Sequence, residues 1–257
     1  MPTDLVHVGV DPEQPGVLTV RLNRPEKRNA LNGEVFGGLS EAWTRLRDDP
    51  SLRSALLTAE GDHFCAGLDL AGGLDGFAAA DGAVDALQLR ACAGKPIVAA
   101  VRGAAFAGGL ELMLGADVRV AADNARFGVP EVRRGIFAAG GATVRLPRDV
   151  GWANAARLLF TGEPIDASEA HRIGLVQEVA PLGQEEEAAR RLARAIAANA
   201  PRSLAVTRES MEAGIAEGPA AELARVVDRV VPLFSTRDAQ EGIAAFFARR
   251  DPVFTGE

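Results

Sequence analysis

The stretch from Pro96 to Ala121 constrains the fold of this chain more than any other segment. Residues 96–101 are an apolar run of the length expected for a buried strand, and residues 117–121 are a second. Between these runs, a glycine-marked turn leads into a short apolar segment, residues 109–114, which we predict to be helical. Strands that alternate with helices in this way are typical of α/β proteins. The sequence therefore predicts an α/β fold.

The N-terminal part of the chain extends the same pattern. Apolar residues alternate over 6–10 and again over 18–22, which predicts a β-hairpin. Asn32 stands where an N-cap residue would begin a helix, and residues 54–58 form another short apolar run that predicts a strand.

The C-terminal part has a different pattern, with helical periodicity and prolines that separate the segments. The predicted helices cover residues 184–199, 203–216, 219–232 and 237–248. We therefore expect a core over residues 1–200 and a helical region over residues 201–257.

Composition excludes several classes of protein. The 257 residues carry 28 basic and 35 acidic side chains, a net charge of −7, which disfavours a nucleic-acid-binding protein. The chain has 2 cysteines and 3 scattered histidines, which provide neither a disulfide scaffold nor a metal-binding spacing. No apolar run reaches the length of a membrane span, and the first residues lack the pattern of a signal peptide. We therefore expect a soluble, cytoplasmic protein without a metal.

The turn at residues 103–109 is the first candidate for chemistry. A helix that begins at glycines presents unpaired backbone N–H groups and the positive end of its dipole, which together stabilise an anion. Glu111 is the one charged residue between Arg102 and Asp117, and its side chain is expected to lean back toward that turn. A buried carboxyl group there suits a general acid or base. The alternatives are a structural glutamate paired with an arginine and an exposed residue on a short helix.

Two further segments are weaker signals. Gly67 allows a sharp bend that frees the N–H of Leu68, although glycine turns after strands are common. Pro130 fixes the backbone beside Glu131, but the neighbouring arginines make a surface ion pair the plainer interpretation.

Taken together and in this order, these segments resemble the enoyl-CoA hydratase/isomerase family, also called the crotonase family. The resemblance covers essentially the whole chain and keeps the spacing between motifs. The residues that carry it are 22–31 (LNRPEKRNAL), 64–70 (FCAGLDL), 103–117, 127–143 and 241–254.

The resemblance implies a role for each motif. The backbone amides of Leu68 and Gly108 would form an oxyanion hole for the thioester oxygen of an acyl-CoA. Glu111 and Glu131 would be the two catalytic carboxylates, which hold the water that adds to the double bond.

The resemblance also implies contacts with the substrate. Arg24 and Arg28 are the candidate residues for the coenzyme A phosphates, and the backbone of Ala66, Asp69 and Leu70 would meet the adenine. Residues 72–82 would cover the acyl pocket. Two bulky side chains close to the motifs, Phe106 and Phe137, bear on the preference for acyl chain length.

The activity implied is that of an enoyl-CoA hydratase. Its fold would be α/β, a crotonase-like spiral of ββα units followed by a helical C-terminal region that forms a homotrimer or homohexamer. No metal or redox cofactor is implied, since coenzyme A is part of the substrate. The alternatives are an enoyl-CoA isomerase, which needs a single glutamate, another reaction of the family such as carnitinyl-CoA dehydration, and a non-catalytic acyl-CoA-binding protein.

Overall fold

The computed structural model describes residues 4–70, 87 and 93–257. The chain divides into two compact units, Met1–Arg194 and Ala195–Glu257. The predicted domain boundary near residue 200, and the role of the second part in assembly, stay predictions.

Strands and helices are numbered in chain order over the described residues. The strands are β1 (Val6–Val10), β2 (Val17–Leu22), β3 (Ser54–Ala59), β4 (Ile97–Val101), β5 (Ala104–Phe106), β6 (Val118–Ala122), β7 (Arg126–Gly128), β8 (Ile165–Asp166) and β9 (Glu178–Ala180). The α-helices are α1 (Gly33–Asp48), α2 (Gly108–Leu114), α3 (Ala142–Asp149), α4 (Trp152–Thr161), α5 (Ala167–Arg172), α6 (Glu185–Ala197), α7 (Pro201–Ala216), α8 (Pro219–Leu223), α9 (Val226–Val230) and α10 (Arg237–Ala248). Short 3-10 helices cover Pro25–Lys27, Pro130–Arg134 and Val231–Ser235.

The larger sheet of the first unit has six strands in the order β1-β2-β3-β4-β6-β9. Strands β1 and β2 form the predicted antiparallel hairpin, and every other neighbouring pair in this sheet is parallel. Residues of β3 and β4 are buried on both faces, as is usual for a parallel sheet that helices cover. The expected α/β architecture is confirmed.

Helix α1 covers this sheet with one apolar face. It begins where predicted, because the Asn32 side chain accepts a hydrogen bond from the amide of Val35 at 2.9 Å. Phe36, Leu39 and Trp43 recur at helical spacing along α1 and are almost fully buried.

A second sheet of three short strands, in the order β5-β7-β8, was not predicted from the sequence. Its strands have two or three residues each, too few to show an alternating pattern. Strand β5 follows β4 after two residues and leads directly to α2. This second sheet therefore fixes the start of the helix that carries Glu111.

The predicted helix over residues 219–232 is wrong in its extent. The structure divides it into α8, α9 and the 3-10 helix Val231–Ser235. At Arg225 the backbone N–H donates to the carbonyl of Glu222, a contact three residues back that tightens the turn and interrupts the helix.

The length and hydropathy of a helix determine whether it could span a membrane. No helix among the described residues is both long and apolar enough to cross a membrane.

A buried ion cluster joins the first strand to α6. The carboxylate of Asp11, which is 1% exposed, accepts hydrogen bonds from Arg190 at 2.7 Å and from Arg194 at 3.0 Å. Burial alone would raise the pKa of Asp11, but these guanidinium groups and two backbone amides lower it to about 2.

We predict that Asp11→Asn lowers the free energy of unfolding by about 1–3 kcal/mol at pH 7, because charged hydrogen bonds are lost. The native pKa lies below the usual value, so the stabilisation is present above about pH 4 and disappears as the pH falls toward 2. Urea unfolding of wild type and variant at several pH values measures this difference. An equal difference at pH 7 and pH 2.5 would contradict the assignment.

Candidate active site

The loop of residues 63–69 lies between two other backbone segments. Cys65 forms a parallel bridge with Ala105 of β5 on one side, and Leu68 forms one with Leu31 on the other. The loop is therefore held at both edges by backbone hydrogen bonds.

This pairing determines where the amide of Leu68 points. The N–H and the carbonyl of Leu31 bond to the residues on either side of Leu68, to the Gly67 carbonyl and the Asp69 amide, both at 2.8 Å. In a parallel bridge of this kind the N–H of Leu68 itself projects to the opposite side. Within the described ranges it donates to no other residue. Gly67 makes the bend possible, since its φ of +100° is one that side chains rarely adopt.

The amide of Gly108 lies next to it. Gly108 begins α2, so its N–H has no partner within the helix. The preceding residue, Ala107, has a φ of 53° and a ψ of −127°, a strained conformation that costs about 1–3 kcal/mol. A β-carbon built onto Gly108 would lie 3.6 Å from the nitrogen of Leu68. The two predicted oxyanion-hole amides are therefore brought together.

Glu111 lies one turn further along α2 and is 3% exposed. Its Oε1 accepts a hydrogen bond from the backbone amide of Ala142 at 3.1 Å. The pKa of Glu111 is raised to about 7, chiefly by burial and to a smaller extent by the nearby charge of Glu131, while the amides of Ala142 and Gly140 oppose the shift. Neither alternative fits the described residues, because Glu111 is buried and its carboxylate is held there by backbone amides rather than by an arginine side chain.

Gly140 of the adjoining loop and Arg145 of α3 keep Glu111 in place. A β-carbon on Gly140 would lie 2.7 Å from Oε2 of Glu111, so any larger residue there would displace the carboxyl group. The Nη1 of Arg145 donates to the carbonyl oxygens of Leu87 at 3.1 Å, Gly140 at 3.2 Å and Glu111 at 3.3 Å. Arg145 therefore ties the loop to the helix that carries Glu111.

Glu131 is the second buried carboxyl group and is 8% exposed. It lies in the 3-10 helix that Pro130 begins, and its Oε2 is buried without a hydrogen-bond partner among the described residues. Burial raises the pKa of Glu131 above its usual range, and the charge of Arg134 opposes the shift. The expected ion pair is not found within the described ranges, since Arg133 pairs with Glu163 instead. The surface-ion-pair interpretation is therefore wrong.

These groups meet in one cavity of about 190 Å³. Both glutamates line it, together with Leu68 and Gly108, and most of the remaining wall is apolar. Phe137 also lines it and, with Glu131, borders a second, apolar cavity of about 270 Å³ next to α4.

The residues predicted to contact coenzyme A lie on the loop side of this cavity. Ala66 and Leu70 line the cavity, and Leu70 is exposed. Arg24 forms an ion pair with Asp69 at 2.6 Å, so two of the predicted contact residues engage each other. Arg28 is exposed and has a φ of 50°. The predicted pocket cover, residues 72–82, lies outside the described residues.

The sequence analysis missed the residues that support the site. Gly140 and Arg145 act on Glu111 across 29 and 34 positions of sequence, and such contacts leave no local pattern. Asn29 is a second case: its amide nitrogen donates to the carbonyls of Glu60 at 2.9 Å and His63 at 2.8 Å, which holds the loop of residues 63–69. Asn29 lies within the motif of residues 22–31, but neither these contacts nor its left-handed φ of 53° can be inferred from the sequence.

This arrangement has a defined chemical capacity. Two adjacent N–H groups stabilise negative charge on an oxygen atom placed between them. Two carboxyl groups with raised pKa values, one of them with an oxygen that has no partner among the described residues, can hold a water molecule and transfer its protons near neutral pH.

Comparison with known proteins shows the family of this chain. The model of the enoyl-CoA hydratase/isomerase family matches residues 12–257. An enoyl-CoA hydratase of Mycobacterium tuberculosis is 38% identical over 247 residues, which cover 92% of each chain. The (E)-benzylidenesuccinyl-CoA hydratase of Thauera aromatica is 38% identical over 249 residues, 93% of this chain and 96% of that protein. The crystal structure of an enoyl-CoA hydratase from Mycobacterium tuberculosis H37Rv matches 99% of this chain and 100% of its own, with a TM-score of 0.90 and 38% identity.

We predict that Arg145→Gln raises the pKa of Glu111 above its value of about 7, because a nearby positive charge is removed and the loop that donates to the carboxylate is released. Carbon-13 NMR of the glutamate side chains against pH measures the shift. Arg148→Gln, on the same helix, is the control and leaves the Glu111 titration unchanged. A Glu111 pKa that is unchanged or lowered in Arg145→Gln would show that Arg145 does not support the carboxylate.

Proposed function

Because the chain belongs to the enoyl-CoA hydratase/isomerase family, we propose that it is an enoyl-CoA hydratase, which adds water reversibly to the C2–C3 double bond of a 2-enoyl-CoA. The expected crotonase-like fold is confirmed by the match to solved structures of the family. The observation that carries the proposal is the pair of buried carboxyl groups, Glu111 and Glu131, in the cavity that Leu68 and Gly108 also line.

The amides of Leu68 and Gly108 would act on the thioester oxygen. Attack of water on C3 moves electrons onto that oxygen and gives an enolate, whose charge is largest in the transition state. Donors that are already oriented stabilise this charge without reorganisation, and one such donor is typically worth about 10²–10³ in rate. The strain at Ala107 and the bend at Gly67 serve this orientation.

The two carboxyl groups would carry the protons. One, ionised, accepts a proton from water as the water oxygen bonds to C3, and the other, protonated, donates to C2 of the enolate. Water thus supplies the hydroxyl group at C3, and the net product is a 3-hydroxyacyl-CoA. Both pKa values are raised, and each negative charge disfavours ionisation of the other, so a singly protonated pair is favoured near neutral pH.

The second carboxyl group separates this function from its nearest alternative. An isomerase moves one proton between C2 and C4 and needs one glutamate, and a binding protein needs neither. Glu131 is buried with Oε2 unpartnered among the described residues, a costly arrangement that the hydration reaction explains. We therefore favour hydration over isomerisation.

We further propose that the protein forms a homotrimer or homohexamer through its C-terminal region. The second unit, taken alone, exposes many large apolar side chains, which include Met211, Leu223, Phe234, Phe246 and Phe247. Apolar exposure on this scale is typical of a surface that another chain covers. The cytoplasmic location and the lack of a metal or redox cofactor stay predictions from the sequence.

The direct test of the reaction class is an assay with two substrates. We expect the protein to hydrate crotonyl-CoA, followed as loss of the conjugated double bond, and to leave a 3-enoyl-CoA unchanged. Conversion of the 3-enoyl-CoA to its 2-enoyl isomer without hydration would favour the isomerase.

We predict that Glu111→Gln and Glu131→Gln each lower kcat for crotonyl-CoA by about 10²-fold or more, the usual scale for a general acid or base. Steady-state kinetics and thermal melting together show whether the variants fold. Glu163→Gln, which changes an exposed carboxylate, is the control. Near-wild-type activity in either active-site variant would exclude the two-carboxylate mechanism.

We predict that Gly108→Ala lowers kcat while the protein stays folded. The added methyl group would lie 3.6 Å from the Leu68 nitrogen and 3.3 Å from Leu31, so it would occupy the space beside the two amides that the thioester oxygen needs. The lost stabilisation is felt mainly in the transition state, which is why kcat falls.

Gly37→Ala is the matched control for that substitution, because its new β-carbon has no neighbour within 4 Å. If the two glycine variants had equal kcat values, Gly108 would be only a structural turn residue, and the oxyanion hole would lie elsewhere.

A further inference from the structure

Arg134 lines the same cavity as the two glutamates. It ends the 3-10 helix that runs from Pro130, three positions after Glu131. In a 3-10 helix, side chains three residues apart lie above one another on the same face, separated by a rise of about 6 Å. Arg134 therefore projects on the side of Glu131, one turn further along the cavity wall.

Arg134 is exposed, so most donors of its guanidinium group face solvent and are open to a ligand. Within the described ranges, its one hydrogen bond runs from Nη1 to the carbonyl oxygen of Pro130 at 3.2 Å. Its neighbour Arg133 differs, because it donates to the carbonyl of Thr161 at 2.8 Å and pairs with Glu163 at 3.4 Å. Two adjacent arginines thus have different partners, and the one that lines the cavity forms no ion pair with a carboxylate in the part of the chain that the structure describes.

The charges of the residues that line the cavity indicate what Arg134 could bind. Among the described residues that line it, Arg134 carries the only cationic side chain, next to two carboxyl groups and an otherwise apolar wall. An anionic acyl group would be repelled by those carboxyl groups unless a cation were close to it.

We propose that Arg134 binds a terminal carboxylate on the acyl group, so that the preferred substrates are 2-enoyl-CoA thioesters of dicarboxylic acids. This proposal rests on the proposed function, which sets C2 and C3 beside the two glutamates that line the cavity. A guanidinium group one turn beyond Glu131 then meets a carboxylate at C5 or C6 of the acyl chain, and its planar donors match that group in a bidentate pair. The pair of opposite charges gives the specificity, because an uncharged acyl chain offers the guanidinium group no carboxylate to bind.

The test compares substrates of equal length. The carboxylated pair members are the CoA thioesters of pent-2-enedioic and hex-2-enedioic acid, and their uncharged counterparts are 2-pentenoyl-CoA and 2-hexenoyl-CoA. For wild type we expect a higher kcat/KM with the carboxylated member of at least one pair. The ratio of interest is kcat/KM for the carboxylated thioester divided by kcat/KM for its uncharged counterpart. Arg134→Gln should lower this ratio by about 10- to 100-fold, the range expected for loss of a charged hydrogen bond. An effect of Arg134 on Glu131 acts on both substrates and cancels in this ratio.

Arg133→Gln is the matched control and leaves the ratio unchanged. The proposal is overturned if Arg134→Gln lowers kcat/KM equally for both substrates of a pair. That result would indicate that the arginine acts on coenzyme A or on Glu131. It is equally overturned if Arg133→Gln lowers the ratio as much, which would indicate a general effect of charge.

A binding measurement separates this proposal from the proposed function. Calorimetry with the saturated thioesters glutaryl-CoA and pentanoyl-CoA requires no turnover. We expect wild type to bind glutaryl-CoA at least 10-fold more tightly, and Arg134→Gln to lose that difference. If no enoyl-CoA is hydrated, the proposed function fails, but calorimetry still tests the role of Arg134. Equal affinities of wild type for glutaryl-CoA and pentanoyl-CoA would overturn the proposal that Arg134 binds the carboxylate.

Discussion

The contact between the carboxyl group of Glu111 and the loop of residues 140–142 is the interaction on which the site depends. An isolated buried carboxylate is unstable, and here the amide of Ala142 stabilises it at 3.1 Å while burial keeps its pKa near 7. Gly140 leaves room for the carboxyl group, and Arg145 fixes the loop to α2. The same short helix presents the Gly108 amide, so one packing arrangement positions both an oxyanion donor and a carboxyl group.

Several residues near the site have strained backbone conformations. Ala107, Arg28 and Asn29 all have a positive φ, although none is glycine, and each such residue costs free energy. The parallel sheet and the buried side chain of Asn29 hold these segments against relaxation. Arg28 and Asn29 bond to the loop of residues 63–69, and Ala107 directly precedes α2. The stability of the core therefore supports a site that would not be stable as an isolated loop.

The sequence predicted those features that depend on local patterns. The cap at Asn32, the helix that begins at the glycines and the buried acid at Glu111 each follow from neighbouring residues, and each is found. Strand β5 has three residues and was missed, because its pairing with β7 arises only in the folded chain. The supporting contacts of Arg145 were missed for the same reason: they join residues distant in sequence.

Addition of water across a double bond is the central claim, and isotope incorporation tests it most directly. Crotonyl-CoA is incubated with the protein in deuterium oxide enriched in oxygen-18, and the product is analysed by mass spectrometry and NMR. The two-carboxylate mechanism predicts one oxygen-18 atom at C3 and one deuterium atom at C2 of 3-hydroxybutyryl-CoA. Deuterium in the acyl chain without any oxygen-18 would contradict hydration and would indicate a proton-shuttling isomerase.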